Sequence, residues 1–551
     1  MQFNEANPRA ASHLGIAARV GDEEAVKSLL KMGRRIDIGD NRGWTSLHEA
    51  AAANSIGCLS LLLTKGRQCV NLRTMEGETP LLLACMYQDS TELVRILLDR
   101  GADVNMGNNE NHTPLHEVCE NGKVQVAETL IEHGAKLNAL NFNNFTPLHC
   151  AVSSENTTLV RYLISKGADV SIEDECGRTP LFIAAGLGNW DMVEIILAAC
   201  RTVDTRAGDG ATALMIAAQN GHLKVVEELL KRGADPDLAS LNHTMALHLA
   251  IHSGHLSVVK LLLKVTSRDA LIHHCTHPDA DVSCSLCCLA IDGEHLNVLK
   301  LLLSSGLGDY ILHLPVHYVE TGAENYPHIA LQYSEFSPVS FLLSTKLDKL
   351  QDDAIIYLEL LLKHGFPVNV TQKKALPPLV AVMLEPRHSH LKSRCVDMLL
   401  AHGADVEYTT TSAGVPDALL AACASGHCSG VLQLLRAGSS GSPNDLLRYL
   451  VTHDQLVRRA DMQIVDMIEL LLSLGITEPN LYWKVQHYFA ETRRDIQRKA
   501  DDAVVAPLQV CSLQQMCRLA VRQYLGQPLV PALEKLSIPR CMEKYLMFET
   551  L

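Results

Sequence analysis

At 551 residues the chain has the length of three to five ordinary domains of roughly 100–200 residues each, or of one elongated array. Its composition, 47% hydrophobic, 20% charged and only 5% aromatic, excludes wholesale disorder and points to Leu-Ala-Val-Ile cores of packed helices rather than a sandwich or barrel. Lys plus Arg is 48 against 62 for Asp plus Glu, and the resulting net charge of −14 argues against nucleic-acid binding and against attraction to an anionic membrane surface.

Residues 1–11 form a polar leader without the apolar stretch of a secretory signal. The longest apolar runs, such as Val258–Val265, are far below the ~18 residues a membrane span needs. The 17 cysteines are odd in number and follow no framework spacing. An intracellular, cytoplasmic protein with reduced thiols and no membrane insertion is expected.

A tetrapeptide of the form Thr-Pro-Leu-His recurs at Thr45, Thr79, Thr113, Thr146, Thr179, Thr212 and, as Met-Ala-Leu-His, at Met245. The starts are 34, 34, 33, 33, 33 and 33 residues apart. In phase with them, Gly66, Gly101, Gly134, Gly167 and Gly233 each follow a Leu-rich stretch. Thr can cap a helix and Pro fits its first position. Pairs such as Ala184-Ala185 and Ala217-Ala218 allow close approach of a second helix, which Gly closes in a left-handed cap. One such unit cannot bury its own core, but a stack of them can. The period and the Thr-Pro-Leu-His signature resemble the ankyrin repeat family.

A leading unit runs from about Ser12 to Gly43, and the regular pattern extends through Ser285 to Gly306, so that regular repeats are expected over 12–306. Cys200 and Thr266 stand where a closing Gly belongs and imply altered caps. The stretch 307–336 carries no repeat marks but four of the chain's 13 Tyr, at Tyr310, Tyr318, Tyr326 and Tyr333. Either a partner-binding insertion or a covering loop would account for it. Divergent repeats are expected over 337–475, closing at Gly365, Gly403, Gly438 and Gly475, which brings the total to about twelve. A mixed-charge helical connector follows over 476–503.

Three features inside the repeats invite a chemical reading. His48, His116, His149 and His248 occupy the fourth letter of the signature, where the ankyrin resemblance implies structural hydrogen bonds between neighbouring turns. His273, His274, Cys275 and His277, followed by Cys284, Cys287 and Cys288, have the look of zinc ligands. Cys287 and Cys288, however, fall on repeat positions inside a predicted helix, where Cys acts as a small hydrophobe. No metal or cofactor is therefore expected, and no phosphate-binding glycine loop is present. Phe142 takes a hairpin-tip position where a polar residue is usual, which makes it a candidate target contact. Trp44 and Phe145, just before a Thr start, are expected to pack under the hairpin.

In the segment 504–551, Leu513, Met516, Cys517, Ala520 and Val521 stand at i, i+3, i+4, i+7 and i+8, one apolar stripe of a helix with Ser512 as N-cap. Such a stripe alone would pack on the last repeat. Ser512–Val521 also resembles the BC box of the SOCS box: small-polar, Leu, three variable, Cys, three variable, aliphatic. Leu536-Ser537-Ile538-Pro539, followed by Met542, Tyr545 and Leu546, is similar to the cullin box, with Ser537 in place of the usual first Pro. Order and position after ankyrin repeats make the chain similar to the ankyrin repeat and SOCS box proteins. That resemblance implies an all-α fold, an ankyrin solenoid followed by a small three-helix SOCS box. It also implies a non-catalytic substrate receptor that docks the elongin B/elongin C heterodimer and cullin-5 with its RING subunit. Leu513, Met516, Cys517, Ala520 and Val521 would meet elongin C, while Leu536, Ile538 and Pro539 would face the cullin. The target protein is not legible in the sequence. A plain ankyrin scaffold, or an enzyme using the Cys/His segment, are the competing readings. The segment from Val504 onward carries 5 Lys plus Arg against 3 Asp plus Glu, +2, so the acidity belongs to the repeats.

Overall fold

In the computed structural model of the chain, the described residues are 12–276, 285–305 and, with interruptions, 307–446. They fall into two compact units, Met1–Ser267 and Arg268–Leu551.

The first unit is a row of helix pairs: His13–Val20 with Glu23–Lys31 (α1, α2), Ser46–Ala52 with Ile56–Lys65 (α3, α4), Pro80–Tyr87 with Thr91–Asp99 (α5, α6) and Pro114–Glu120 with Val124–Glu132 (α7, α8). It continues with Pro147–Ser153 and Thr157–Ser165 (α9, α10), Pro180–Leu187 and Trp190–Ala199 (α11, α12), Ala213–Gln219 and Leu223–Lys231 (α13, α14), and Ala246–His252 and Leu256–Val265 (α15, α16). The local reasons are those of the sequence. Thr79, Thr113, Thr146, Thr179 and Thr212 each accept a hydrogen bond from the backbone three residues on. Pro follows at the first helical position in four of these.

The first helix of each pair packs between its counterparts in the repeats before and after, α3 against α1 and α5, α7 against α5 and α9. It is therefore buried almost all round: in α5 every residue from Pro80 to Cys85 is buried. The second helix covers one side only. In α14 Val225, Val226 and Leu229 face in, whereas Lys224 and Glu227 face out. The small residues Ala50-Ala51, Ala184-Ala185 and Ala217-Ala218 are fully enclosed, which is what lets neighbouring helices approach.

Gly101, Gly134, Gly167 and Gly233 close their repeats at φ between +87° and +95°. Gly66 departs from that expectation. It has φ −123°, and the chain passes into a short tight turn over Arg67–Cys69 instead. Cys200 and Thr266 do alter their caps, both taking extended backbone, at ψ 142° and 132°.

Neighbouring repeats are tied by a second, polar ladder. Asn71 and Asn105 each donate Nδ2 to a carbonyl of the next repeat, Gly101 and Gly134, at 3.1 and 3.2 Å, and accept a backbone N–H there, as Asn138 also does. At the next position Ser171 turns its hydroxyl to its own Asp169, at 2.6 Å, and the link to the following repeat is missing. The gap coincides with the extended cap at Cys200. A cleft of about 550 Å³ lies there, lined by Asn138, Asp169, Ser171, Cys200 and Thr205 among others.

In the second unit Arg268–Thr276 (α17) precedes a further pair, Leu286–Asp292 and Leu296–Ser304 (α18, α19). Val316–His317 (β1) and Glu335–Phe336 (β2), both within the stretch that breaks the period, pair antiparallel, Val316 opposite Phe336. Beyond it the helices Pro378–Leu384 and Ser389–Ala401, then Ala418–Ala424 and Cys428–Ala437, repeat the pairing. Gly365, Gly403 and Gly438 close at φ +77°, +83° and +111°. Asn369 donates to the Gly403 carbonyl and accepts from the Asp405 N–H, as Asn71 does in the first unit. Among the described residues no helix is long and apolar enough to cross a membrane.

Candidate functional site

The residues expected to dock a ligase, Leu513, Met516, Cys517, Ala520, Val521, Leu536, Ile538 and Pro539, lie outside the described residues. So do the closing positions Gly306 and Gly475. What the structure presents for recognition is the row of hairpin tips and the first helices behind them.

The tips form a ladder of their own. The N–H of Met75 donates to the Arg42 carbonyl, Asn109 to Glu76, Phe142 to Glu110, Glu175 to Asn143, Gly208 to Cys176 and Leu241 to Asp209, all at 2.8–3.0 Å. With backbone groups satisfied in this way, the tip side chains are left to vary. Met75, Phe142 and Leu241 share one register position and are 71%, 66% and 69% exposed. Phe142, marked in the sequence, is thus one of three such apolar tips.

Behind the tips the rings before each Thr are held in place. Trp44 is buried, with the Arg42 guanidinium 4.4 Å above it. Phe145, half-buried, stacks on His149 with centroids 5.6 Å apart. The signature histidines are fastened on both sides. In His116, Nδ1 accepts the Thr113 backbone N–H at 3.2 Å, which leaves the ring proton on Nε2 to donate to the Phe145 carbonyl of the next repeat, 2.8 Å away. His149 reaches the Arg178 carbonyl and His48 those of Leu72 and Glu78 in the same manner. Burial holds His48 and His116 down to about 4. Such rings are neutral fasteners, with neither nitrogen open to a substrate.

Most of the described cysteines are likewise interior, Cys176 being exposed and Cys200 and Cys428 partly so. Cys287 and Cys288 lie in α18 with no exposure to speak of, and burial pushes Cys287 well above the ordinary thiol value and Cys288 up to about 12. Burial likewise pushes Cys150 up to about 12 and Cys119 well above the ordinary thiol value. These thiols stay protonated, the opposite of what a nucleophile needs. His273 and His274 contact one another edge-on at 5.0 Å on α17, while the side chain of Cys275, and His277 and Cys284, lie outside the described residues.

One feature escaped sequence reading: a strip of carboxylates between Met75 and Phe142. Glu76 and Glu110 lie on the tips, Glu78 just behind, and Glu117 and Glu120 on α7. His112 Nε2 sits 3.5 Å from Glu117 and 3.6 Å from Glu120. Burial raises the carboxyls of Glu78 and Glu117 above the ordinary range; Glu76 and Glu117 add to it for Glu78, and Glu120 for Glu117. The only available signal was acidity recurring at one phase of the repeat.

Comparison with protein families matches "Ankyrin repeats (3 copies)" over 14–108, 91–174 and 168–240, "Ankyrin repeat" over 242–275 and "SOCS box" over 509–547. Similar proteins include human Ankyrin repeat and SOCS box protein 3, 42% identical over 117 residues, which is 21% of this chain and 22% of that protein. Human Ankyrin repeat and SOCS box protein 16 is 37% identical over 113 residues, 20% of this chain and 24% of its own length. The matched stretches thus span less than a quarter of either relative. The crystal structure of the human ASB11 ankyrin repeat domain aligns with TM-score 0.37 and 28% identity, covering 41% of this chain and 99% of that one. Ankyrin repeats followed by a SOCS box are the make-up of the ankyrin repeat and SOCS box proteins, and this chain carries both.

Proposed function

We infer that the chain is the substrate-recognition subunit of an elongin B/C–cullin-5–RING ubiquitin ligase, working in the cytoplasm. The observation that carries this reading is the SOCS box at 509–547, placed after a row of ankyrin repeats whose tips and first helices present a varied surface. In this reading the repeats hold a target protein and the SOCS box brings the ligase to it. The chain contributes proximity and orientation rather than bond chemistry, in keeping with its fastened histidines and protonated thiols. Leu513 enters a pocket of elongin C with Met516, Cys517, Ala520 and Val521 beside it, and Leu536, Ile538 and Pro539 face the cullin.

Burying one Leu is worth roughly 1.5–3 kcal/mol, so Leu513→Ala with Cys517→Ala should weaken elongin capture ~10- to 100-fold or more. The test is co-purification of the full chain with the elongins and cullin-5, native against the double variant, with helix content followed by circular dichroism. Capture of all three by the native chain and its loss in a folded variant is the expected result. Undiminished capture by the variant would sink the assignment. Absence of capture by the native chain would favour an ankyrin scaffold with a helical C-terminal cap.

A further inference from the structure

The loops after the second helices hold a rung of the Asn ladder that the chain begins and does not complete. Asn71 bonds the carbonyl 30 residues on and the N–H 32 residues on, and Asn105 those 29 and 31 residues on. The spacing of Asn105, applied to Ser171, leads to the Cys200 carbonyl and the Thr202 N–H. Ser171 instead gives its N–H and its hydroxyl to its own Asp169, at 2.9 and 2.6 Å. Among the described residues neither the Cys200 carbonyl nor the Thr202 N–H takes part in a hydrogen bond, and the Asn138 amide uses only its oxygen.

These residues surround the cleft of about 550 Å³, a volume within the range of about 300–1,000 Å³ usual for ligand sites. Ile164, Val170 and Leu181 give its walls apolar carbon. Charge at the rim is balanced, because Asp169 and Arg201 both line it. The Asp169 carboxyl is held below its ordinary value by its bonds from Ser171 and, to a smaller extent, by the Arg201 cation. A ligand of either net charge would therefore meet one favourable and one unfavourable group. What stands open in the cleft is a donor and an acceptor side by side, on residues two apart in the chain.

A primary carboxamide answers both with one planar group, accepting at its oxygen and donating at its nitrogen, as Asn71 and Asn105 do within the chain. A carboxylate has no donor, and an ammonium or guanidinium has no acceptor. We propose that an extended segment of the target protein inserts an Asn or Gln side chain into this cleft. Its carboxamide bridges the Cys200 carbonyl and the Thr202 N–H, and the apolar residues beside it lie against Ile164, Val170 and Leu181. The proposal rests on the substrate-receptor reading and narrows it to a class of target segment.

The test uses the full chain and two capped tripeptides, acetyl-Val-Gln-Val-methylamide and acetyl-Val-Met-Val-methylamide, of which only the first carries a primary amide. Saturation-transfer NMR at millimolar peptide should show the Gln peptide binding about 10-fold more tightly than the Met peptide, the effect of two hydrogen bonds. Ser171→Asn supplies a carboxamide from within the chain. It should raise the thermal midpoint and weaken the Gln peptide by about 10-fold, because the rung is then closed. Ala199→Tyr, on an exposed residue of the cleft, should weaken the peptide while leaving the midpoint where it was. Phe142→Ser, on a tip, should change neither. No binding by the native chain, equal binding of both peptides, or undiminished binding by Ser171→Asn or by Ala199→Tyr would overturn the proposal. Leu513→Ala/Cys517→Ala should bind the Gln peptide normally while losing the elongins, so that a failure of ligase docking and a failure of this cleft are read separately.

Discussion

His116 shows how much a single ring can do in this architecture. It accepts one backbone N–H within its repeat and donates to a carbonyl of the next, so replacing it strands two buried partners. His116→Ala should cost roughly 2–4 kcal/mol on that account. Its charge state follows from the same geometry. A protonated ring would aim a second N–H at the Thr113 N–H, and burial already holds His48 and His116 at about 4, below the ordinary 6.5. The folded chain thus refuses protons that the unfolded chain accepts. The stabilisation from each neutral ring is complete above pH 6.5, declines as pH falls towards 4, and is then gone; it amounts to at most roughly 3 kcal/mol. Glu49, Glu78 and Glu117, raised by burial, act in the opposite sense over the acid range. The informative quantity is therefore the stability difference between native and His116→Gln chains from urea unfolding. It should be largest at pH 7 to 8 and shrink steadily down to pH 4, and a difference independent of pH would refute the neutral-fastener account.

At the scale of the element, the closing residue decides how a repeat ends. Gly233 sits at φ +90° with open space around the position of a Cβ, so Gly233→Ala should cost only the backbone term, about 1–2 kcal/mol. Gly177, at φ +73°, would place a Cβ 2.8 Å from the Gly208 nitrogen, and its substitution by Ala should cost visibly more than that. Thermal midpoints of the two variants check the order. Cys200 is the converse case, because its extended cap needs no left-handed residue, and Cys200→Gly should not stabilise the chain. These elements were legible in the sequence because caps and turns are decided within a few residues: Thr, Pro and Gly each carry their own conformational reason. Gly66 was misread for the same reason in reverse, since glycine also permits the ordinary backbone it takes there. The carboxylate strip was not legible. Its members stand up to 44 residues apart, from Glu76 to Glu120, and whether a cation neutralises them depends on where Lys123 and Arg73 swing. The apolar spacing from Leu513 to Val521, by contrast, is a local helical pattern that sequence states by itself.

At the scale of the whole molecule, the described repeats of the first unit pack each on its neighbours, and stability should travel accordingly. In the first unit each first helix touches the one before and the one after, and the Asn ladder joins adjacent loops. A repeat array of this kind behaves as a chain of nearest-neighbour couplings. The ladder is interrupted at Ser171, beside the extended cap at Cys200 and the cleft between them, so the coupling between the repeats on either side should be weaker than elsewhere. Leu148→Ala, in the first turn of α9, removes a fully enclosed side chain and should cost about 2–5 kcal/mol. Native-state hydrogen exchange can follow where that loss goes. Protection should fall in α7 to α10, and in α5 and α6 to a smaller extent, whereas the amides of α13 to α16, beyond the interrupted ladder, should keep most of theirs. A uniform fall across all sixteen helices would mean that the unit opens as one body and that the gap at Ser171 has no energetic consequence. The pattern matters for a receptor, because the cleft beside Ser171 lies at the weak joint itself and would change shape as the repeats beyond Cys200 open and close.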